Sequence, residues 1–222
     1  MVFTFNNENV YCITVDIDSE RATMMRKKLD KLNISFSFWL ASLPSDVVKS
    51  TLKFHDILTQ HERACSLSHW GLWNYLASHD TLEYIFILED DALFKKDFHA
   101  RIEQINHDLS SEELERVDYI HLNASSVTFP LNKWVKADNQ WYSAGYILLK
   151  RGAVRLLELY RDELISADRM LIGLQCMTHS YTIYPWLVIQ GDFSSTIDGH
   201  DNFYNSTMSI LRQHDVDARD YD

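Results

Sequence analysis

Residues 10–15, Val-Tyr-Cys-Ile-Thr-Val, form a short apolar run rich in β-branched positions and predict a buried strand. The polar stretch 16–20 leads into a helix that Ser19 is suited to cap. Residues 34–40 predict a second strand with Phe36 and Phe38 on one face, and the break at 42–46 closes a strand–helix–strand opening. From 62 to 79 the period becomes helical: Cys65, His69, Leu72 and Leu76 recur at steps of four, three and four and share one face. Residues 84–88, Tyr-Ile-Phe-Ile-Leu, are uninterrupted apolar and predict a central strand buried on both faces, ending in Glu89-Asp90-Asp91. Beyond it, 98–105 and 112–117 predict exposed helical pieces, 118–122 and 141–150 strands, 152–161 a helix, the region from Asp168 a last helix, and 182–189 a final strand. The alternation of β and α segments predicts an α/β sheet between layers of helices. The polar, acidic tail 213–222 is expected to fray.

Composition narrows the chemistry. The 222 residues carry a net charge of −11 and are 46% hydrophobic, enough for one large core. The six glycines, Gly71, Gly145, Gly152, Gly173, Gly191 and Gly199, are scattered, so no G-x-G-x-x-G or Walker phosphate cradle can be written. The acidic balance opposes nonspecific nucleic-acid binding, which depends on clustered Lys and Arg. Cys12, Cys65 and Cys176 are widely spaced and form no C-x-x-C pair, which argues against a disulfide framework or a zinc knuckle and fits a reducing compartment. No basic start followed by an apolar h-region and no spanning-length apolar run is present, so the expectation is a cytoplasmic chain with no transmembrane helix.

Glu89-Asp90-Asp91 carries most of the functional information. In open α/β sheets ligands bind outside the carboxyl ends of the strands, and this triplet puts hard oxygen ligands there. If the strand alternation continues, Glu89 and Asp91 face one way and Asp90 the other, and two like-facing carboxylates call for a cation, Mn²⁺ or Mg²⁺. Ile87-Leu88-Glu89-Asp90-Asp91-Ala92, preceded by Glu62-Arg63-Ala64-Cys65-Ser66-Leu67-Ser68-His69 and followed by Ala144-Gly145-Tyr146, resembles glycosyltransferase family 25, and the resemblance extends over roughly residues 10–200. It implies a single GT-A type, Rossmann-like domain over residues 1–212, with a mixed, mostly parallel sheet flanked by helices. It also implies a UDP-sugar donor, UDP-galactose first, and a divalent metal. On that pattern Asp91 binds the metal and Glu89 faces the ribose or the metal's water shell, while Val15, Asp16, Arg21, Ala41, Ser68 and Asp90 line the donor site. The family usually has Gly where His61 and Ala64 stand and Asn-Leu where Asp16-Ile17 stands, so an extra acid lies near the expected nucleotide site.

Other residues have two readings each. Asp168, at a predicted helix start where the family carries an acid, is either the base for an acceptor hydroxyl or an N-cap. His200, with Asp198, lies in a late loop of the kind that adds a metal or diphosphate contact in GT-A enzymes, or is simply exposed. His69 reads as a buried, hydrogen-bonded histidine, and Arg21 and Arg26 as diphosphate contacts or solvated cations. Trp141 and Trp186 are the acceptor-site candidates, since sugars stack on aromatic faces. The resemblance implies an inverting hexosyltransferase, a β-galactosyltransferase, extending a bacterial lipooligosaccharide or lipid-linked glycan, and the expectation is a cytoplasmic chain at most weakly peripheral at the inner membrane. The competing classes are a metal-dependent phosphoryl or nucleotidyl transferase on the same carboxylates, and a binding module whose acids form a solvated rim.

Overall fold

A computed structural model of the chain describes residues 2–123, 125–191 and 204–222. The first apolar run is strand β1 (Val10–Thr14), and Ser19 caps helix α1 (Glu20–Lys31) by accepting the Ala22 amide at 3.1 Å. Strand β2 (Ser37–Leu40), the short helix α2 (Pro44–Lys49) and α3 (Gln60–Ser78) follow, α3 opening on a Thr59/Glu62 capping box. The central apolar run lies in β3 (Tyr84–Glu89), which turns through Asp90 and Asp91 into β4 (Ala92–Phe94). Next come α4 (Phe98–Asp108), α5 (Ser111–Arg116), β5 (Tyr119–His121), β6 (Val135–Lys136) and β7 (Gly145–Leu149). The chain closes with α6 (Lys150–Leu159), α7 (Ala167–Met177), β8 (Ser180–Thr182), β9 (Val188–Gln190) and α8 (Tyr204–Gln213).

Seven strands join in the order β2-β1-β3-β7-β5-β8-β6. Strands β2, β1, β3, β5 and β8 run one way, with β7 and β6 against them, so the mixed sheet is mostly parallel. Alternate strand residues feed two cores. Val10, Cys12, Phe86 and Leu88 pack under α1 and α4, and Tyr11, Ile13, Ile85 and Ile87 pack under α3, α6 and α7. The chain steps from β1 to β2 on one side and returns with β3 on the other, so the order reverses between β1 and β3, whose carboxyl ends align as Ile13 opposite Glu89. That Rossmann-like, GT-A arrangement opens a crevice where the acidic triplet stands.

Because β7 runs antiparallel to β3, its entry loop meets the exit of β3, and the Glu89 amide donates to the Ala144 carbonyl at 3.0 Å. Gly145 at the start of β7 is required by close approach: a Cβ there falls 2.7 Å from Cγ1 of Val188 in β9. Gly145→Ala is expected to lower stability by about 1–3 kcal/mol through overpacking, read from the urea midpoint; an unchanged midpoint contradicts it.

Four expectations change. The run 182–189 is not one strand: Pro185 has no amide to donate, and β8 and β9 join different sheets, β9 pairing with β4 in a two-stranded ribbon. Helix α7 is not the last. Helix α8 follows, burying only Thr207, Met208 and Leu211, a stripe too narrow to register against its polar neighbours. Helix α4 is amphipathic rather than exposed, with Phe98, Ile102 and Ile105 buried. The acidic tail is seated: Phe94 and Asp222 exchange backbone hydrogen bonds at 2.8 and 3.0 Å, and the buried Tyr221 hydroxyl donates to the Trp186 carbonyl at 2.7 Å. Among the described residues no helix is long and apolar enough to cross a membrane.

Candidate active site

The strand alternation of β3 stops at Glu89, so the expected like-facing Glu89/Asp91 pair does not form. Asp90 and Asp91 occupy the turn into β4, and one guanidinium nitrogen of Arg21, from the first turn of α1, sits 2.7 Å from Asp90 Oδ1 and 3.0 Å from Asp91 Oδ2. Thr14, the last residue of β1, donates to Asp90 Oδ2 at 2.6 Å, and Gln190 of β9 donates to Asp91 Oδ2 at 3.0 Å. Glu89 faces α3 instead. Ser143 donates to its Oε1 at 2.6 Å, and His69 Nε2 lies 3.4 Å from the same oxygen.

His69 is buried, as its apolar helix face predicts, and its other nitrogen meets the Tyr146 hydroxyl at 2.8 Å. Trp73 donates to that hydroxyl at 2.9 Å, so Tyr146 of β7 ties two α3 side chains to the sheet. None of Thr14, Ser143, Gln190, Asn123 or the His69–Glu89 contact was marked by the sequence. Ser143 and Asn123 sit on loops whose path depends on the antiparallel return of β7, and Gln190 arrives on a strand of the second sheet. The Ala144-Gly145-Tyr146 motif was the signal nearest to them.

The electrostatics follow from burial. Loss of hydration, followed by the charge of Glu89, pushes Asp91 up to about 6. Burial also raises Asp90, against the pull of Arg21. Burial opposes the charge on Glu89 as well, but the hydrogen bonds from His69 and Ser143 and the charge of Arg21 outweigh it, and its carboxyl lies below the usual range. Asp91 Oδ1 is buried and has no hydrogen-bond partner among the described residues. An orphaned carboxylate oxygen beside two further acids is a hard-ligand position that suits Mg²⁺ or Mn²⁺.

Two cavities, of about 410 and 430 Å³, meet at a wall made of Cys65 and Glu89. The larger is lined by Val15, Asp16, Arg21, Ala41, Ser68, Glu89 and Asp90, so every residue expected at a donor site reaches one space. Ser68 there also holds the loop after β2, accepting the Ser42 amide at 2.8 Å and donating to the Ala64 carbonyl at 2.9 Å. Asp91 lines neither cavity and is 4% exposed. Arg26 points away: it donates to the Ile17 carbonyl at 2.8 Å and lies over the Phe38 ring.

The second cavity holds Asp168, Trp141 and Asn123 beside Glu89. The N-cap of α7 is Ser166, so Asp168 is inside the first turn rather than the cap, at the positive end of the helix. Trp141 is 39% exposed, and Asn123 Oδ1 is buried without a hydrogen-bond partner among the described residues. Trp186 is a correction: it is 1% exposed, packed edge-on against Tyr184 in the cluster that seats α8 and the tail, and offers no face to a ligand. His200 and Asp198 lie outside the described residues.

A Rossmann-like sheet that ends in an acidic turn between two cavities has the architecture of a GT-A glycosyltransferase. Residues 7–171 match the model of glycosyltransferase family 25, described as LPS biosynthesis protein, and the chain belongs to that family. Among its relatives, a Haemophilus influenzae protein named "Putative glycosyltransferase" is 30% identical over 178 residues, 69% of this chain and 58% of that protein. Lipooligosaccharide biosynthesis protein lic2B of Haemophilus influenzae is 36% identical over 89 residues, 37% of this chain and 33% of its own. Procollagen galactosyltransferase 1 of Danio rerio is 30% identical over 107 residues, 45% of this chain and 18% of its own. The chain thus spans at most 58% of the length of these three relatives.

Proposed function

We propose that the chain transfers a hexose, galactose first, from a UDP-sugar to a sugar of a lipooligosaccharide or lipopolysaccharide core, with a divalent cation, Mn²⁺ or Mg²⁺. The carrying observation is the pair of cavities that share Glu89, one lined by all the residues that the family resemblance puts at a donor and the other holding Asp168 with an exposed tryptophan. The names of the lic2B and procollagen galactosyltransferase relatives support the glycan acceptor and the galactosyl donor.

Asp91 would hold the cation through its buried Oδ1, and the cation would supply neutralisation of the departing diphosphate. The chain's own groups do the rest. Arg21, the counter-charge of Asp90 and Asp91, lines the donor cavity and is placed to meet the diphosphate. Trp141 stacks the acceptor sugar and Asn123 Oδ1 accepts one of its hydroxyls. The Asp168 carboxylate takes the proton of the attacking hydroxyl, whose oxygen forms the new bond to the anomeric carbon from the face opposite the diphosphate. The old carbon–oxygen bond breaks and its electron pair leaves with UDP, inverting the centre. Transfer of this kind suits a cytoplasmic enzyme of a bacterium working at the inner face of its inner membrane.

A melting-temperature panel of UDP, GDP and CMP sugars with and without Mn²⁺ tests the donor. UDP-galactose with Mn²⁺ is expected to raise the midpoint by several degrees, since saturation at about 100 Kd adds about 2.7 kcal/mol. A larger shift from a GDP or CMP sugar, or none from any, contradicts the proposal.

A further inference from the structure

The wall between the two cavities carries a second set of ligands, different in kind from the acidic turn. Cys65 and His69 are one helical turn apart on the same face of α3, and Glu89 stands opposite them at the end of β3. Among the described residues these form the one group of three His, Cys, Asp or Glu side chains able to converge on an ion, with one donor atom from each within 4.8 Å of the others. The His69–Glu89 separation matches an edge of a tetrahedral site. Metal–nitrogen and metal–oxygen bonds of about 2.0–2.1 Å give a ligand–ligand edge of about 3.3–3.4 Å, and His69 Nε2 is 3.4 Å from Glu89 Oε1.

The supporting contacts are also in place. The Tyr146 hydroxyl engages His69 Nδ1 at 2.8 Å and leaves Nε2 aimed at Glu89, while Ser143 holds the carboxylate at 2.6 Å. Such outer partners orient the ligands in metal sites. Cys65 and Glu89 line both cavities, so an ion has an entry path and an open fourth position. We propose that Cys65, His69 and Glu89 form a site for a thiophilic divalent cation, Zn²⁺ by chemical class, separate from the hard-oxygen position at Asp91. A thiolate–imidazole–carboxylate set selects Zn²⁺ over Mg²⁺ and Mn²⁺. Because Glu89 also borders the donor cavity, Zn²⁺ bound here withdraws it from a donor; this consequence alone rests on the proposed glycosyl transfer.

The test is a Co²⁺ titration of the reduced, chelator-treated full chain. One equivalent is expected to give a sulfur-to-cobalt charge-transfer band that Zn²⁺ bleaches, that Cys65→Ser abolishes and that Cys176→Ser retains. His69→Gln is expected to weaken Co²⁺ binding by at least about tenfold. Absence of the band in the unmodified chain, or its survival in Cys65→Ser, overturns the site. If Cys65→Ser fails to fold, the Cys12→Ala/Cys176→Ser variant leaves Cys65 as the sole thiol: a retained band supports the site and a lost band overturns it. One equivalent of Zn²⁺ is also expected to suppress the melting shift given by UDP with Mn²⁺. If that shift is present and Zn²⁺ leaves it intact, the withdrawal of Glu89 is wrong; if the shift is absent without Zn²⁺, the donor reading fails and the cobalt result still decides the site.

Discussion

Asp91→Asn is expected to abolish metal-dependent transfer and, in the same protein, to raise the stability of the metal-free fold at neutral pH. Asp91 is buried, and its carboxyl is pushed from 3.8 up to about 6 by lost hydration and by Glu89. A raised folded value means that the neutral form is the one the fold favours. Its stabilising contribution is complete below the unfolded value near 4 and is lost as pH rises through about 6. At neutral pH the ionised side chain therefore works against folding, by on the order of 1–3 kcal/mol. An Asn keeps the shape, can still accept from Gln190, and carries no charge. The expected gain in melting temperature is about 2–4 °C per kcal/mol for a chain of this size, at pH 7 but not at pH 4. Loss of activity with no gain at pH 7 contradicts the strained-carboxylate reading, and retained metal-dependent activity contradicts Asp91 as the metal ligand.

Asp168→Asn is expected to lower kcat by about 10²–10⁴-fold, the range of a positioned general base, with UDP affinity unchanged. The separation arises from placement: Asp168 lines the cavity with Trp141 and Asn123, and not the one that holds Arg21 and Asp90. The substitution keeps an oxygen acceptor in the first turn of α7, and the helix loses a favourable charge at its positive end, about 0.3–1 kcal/mol. Single-turnover transfer and UDP titration on the same preparation check it. An unchanged kcat removes Asp168 as the base, and a matching loss of UDP affinity places it with the donor.

Local chemistry made most of the sheet legible, and the family resemblance pointed to the residues that line the 430 Å³ cavity. The apolar run 84–88, short and rich in β-branched and aromatic residues, reads as a buried strand, and charge beginning at Glu89 marks its carboxyl end, where an α/β sheet binds ligands. Ser19 and the steps from Cys65 to Leu76 fixed two helices and the faces they bury. What stayed hidden depends on contacts distant in sequence. The antiparallel return of β7 brings Ser143 to Glu89 across 54 positions, and β9 brings Gln190 to Asp91 across 99. Trp186 shows the same limit: an aromatic beside a predicted strand is equally suited to a sugar or a core, and only the seated tail, with Tyr221 bonded to its carbonyl, decides for the core. The acids around Val216 and Tyr221 hid that tail, because two apolar anchors among ten mostly polar positions carry no period.

The central claim is that this acidic, glycine-poor chain holds a nucleotide diphosphate through a cation at the turn after β3. Calorimetric titration of UDP, with and without Mn²⁺, on the unmodified chain and on Asp91→Asn tests it most directly. The expected result is UDP binding at least about tenfold tighter with Mn²⁺ in the unmodified chain, and no effect of Mn²⁺ in Asp91→Asn. Equal UDP affinity with and without Mn²⁺ in the unmodified chain, or the full Mn²⁺ effect in Asp91→Asn, contradicts it.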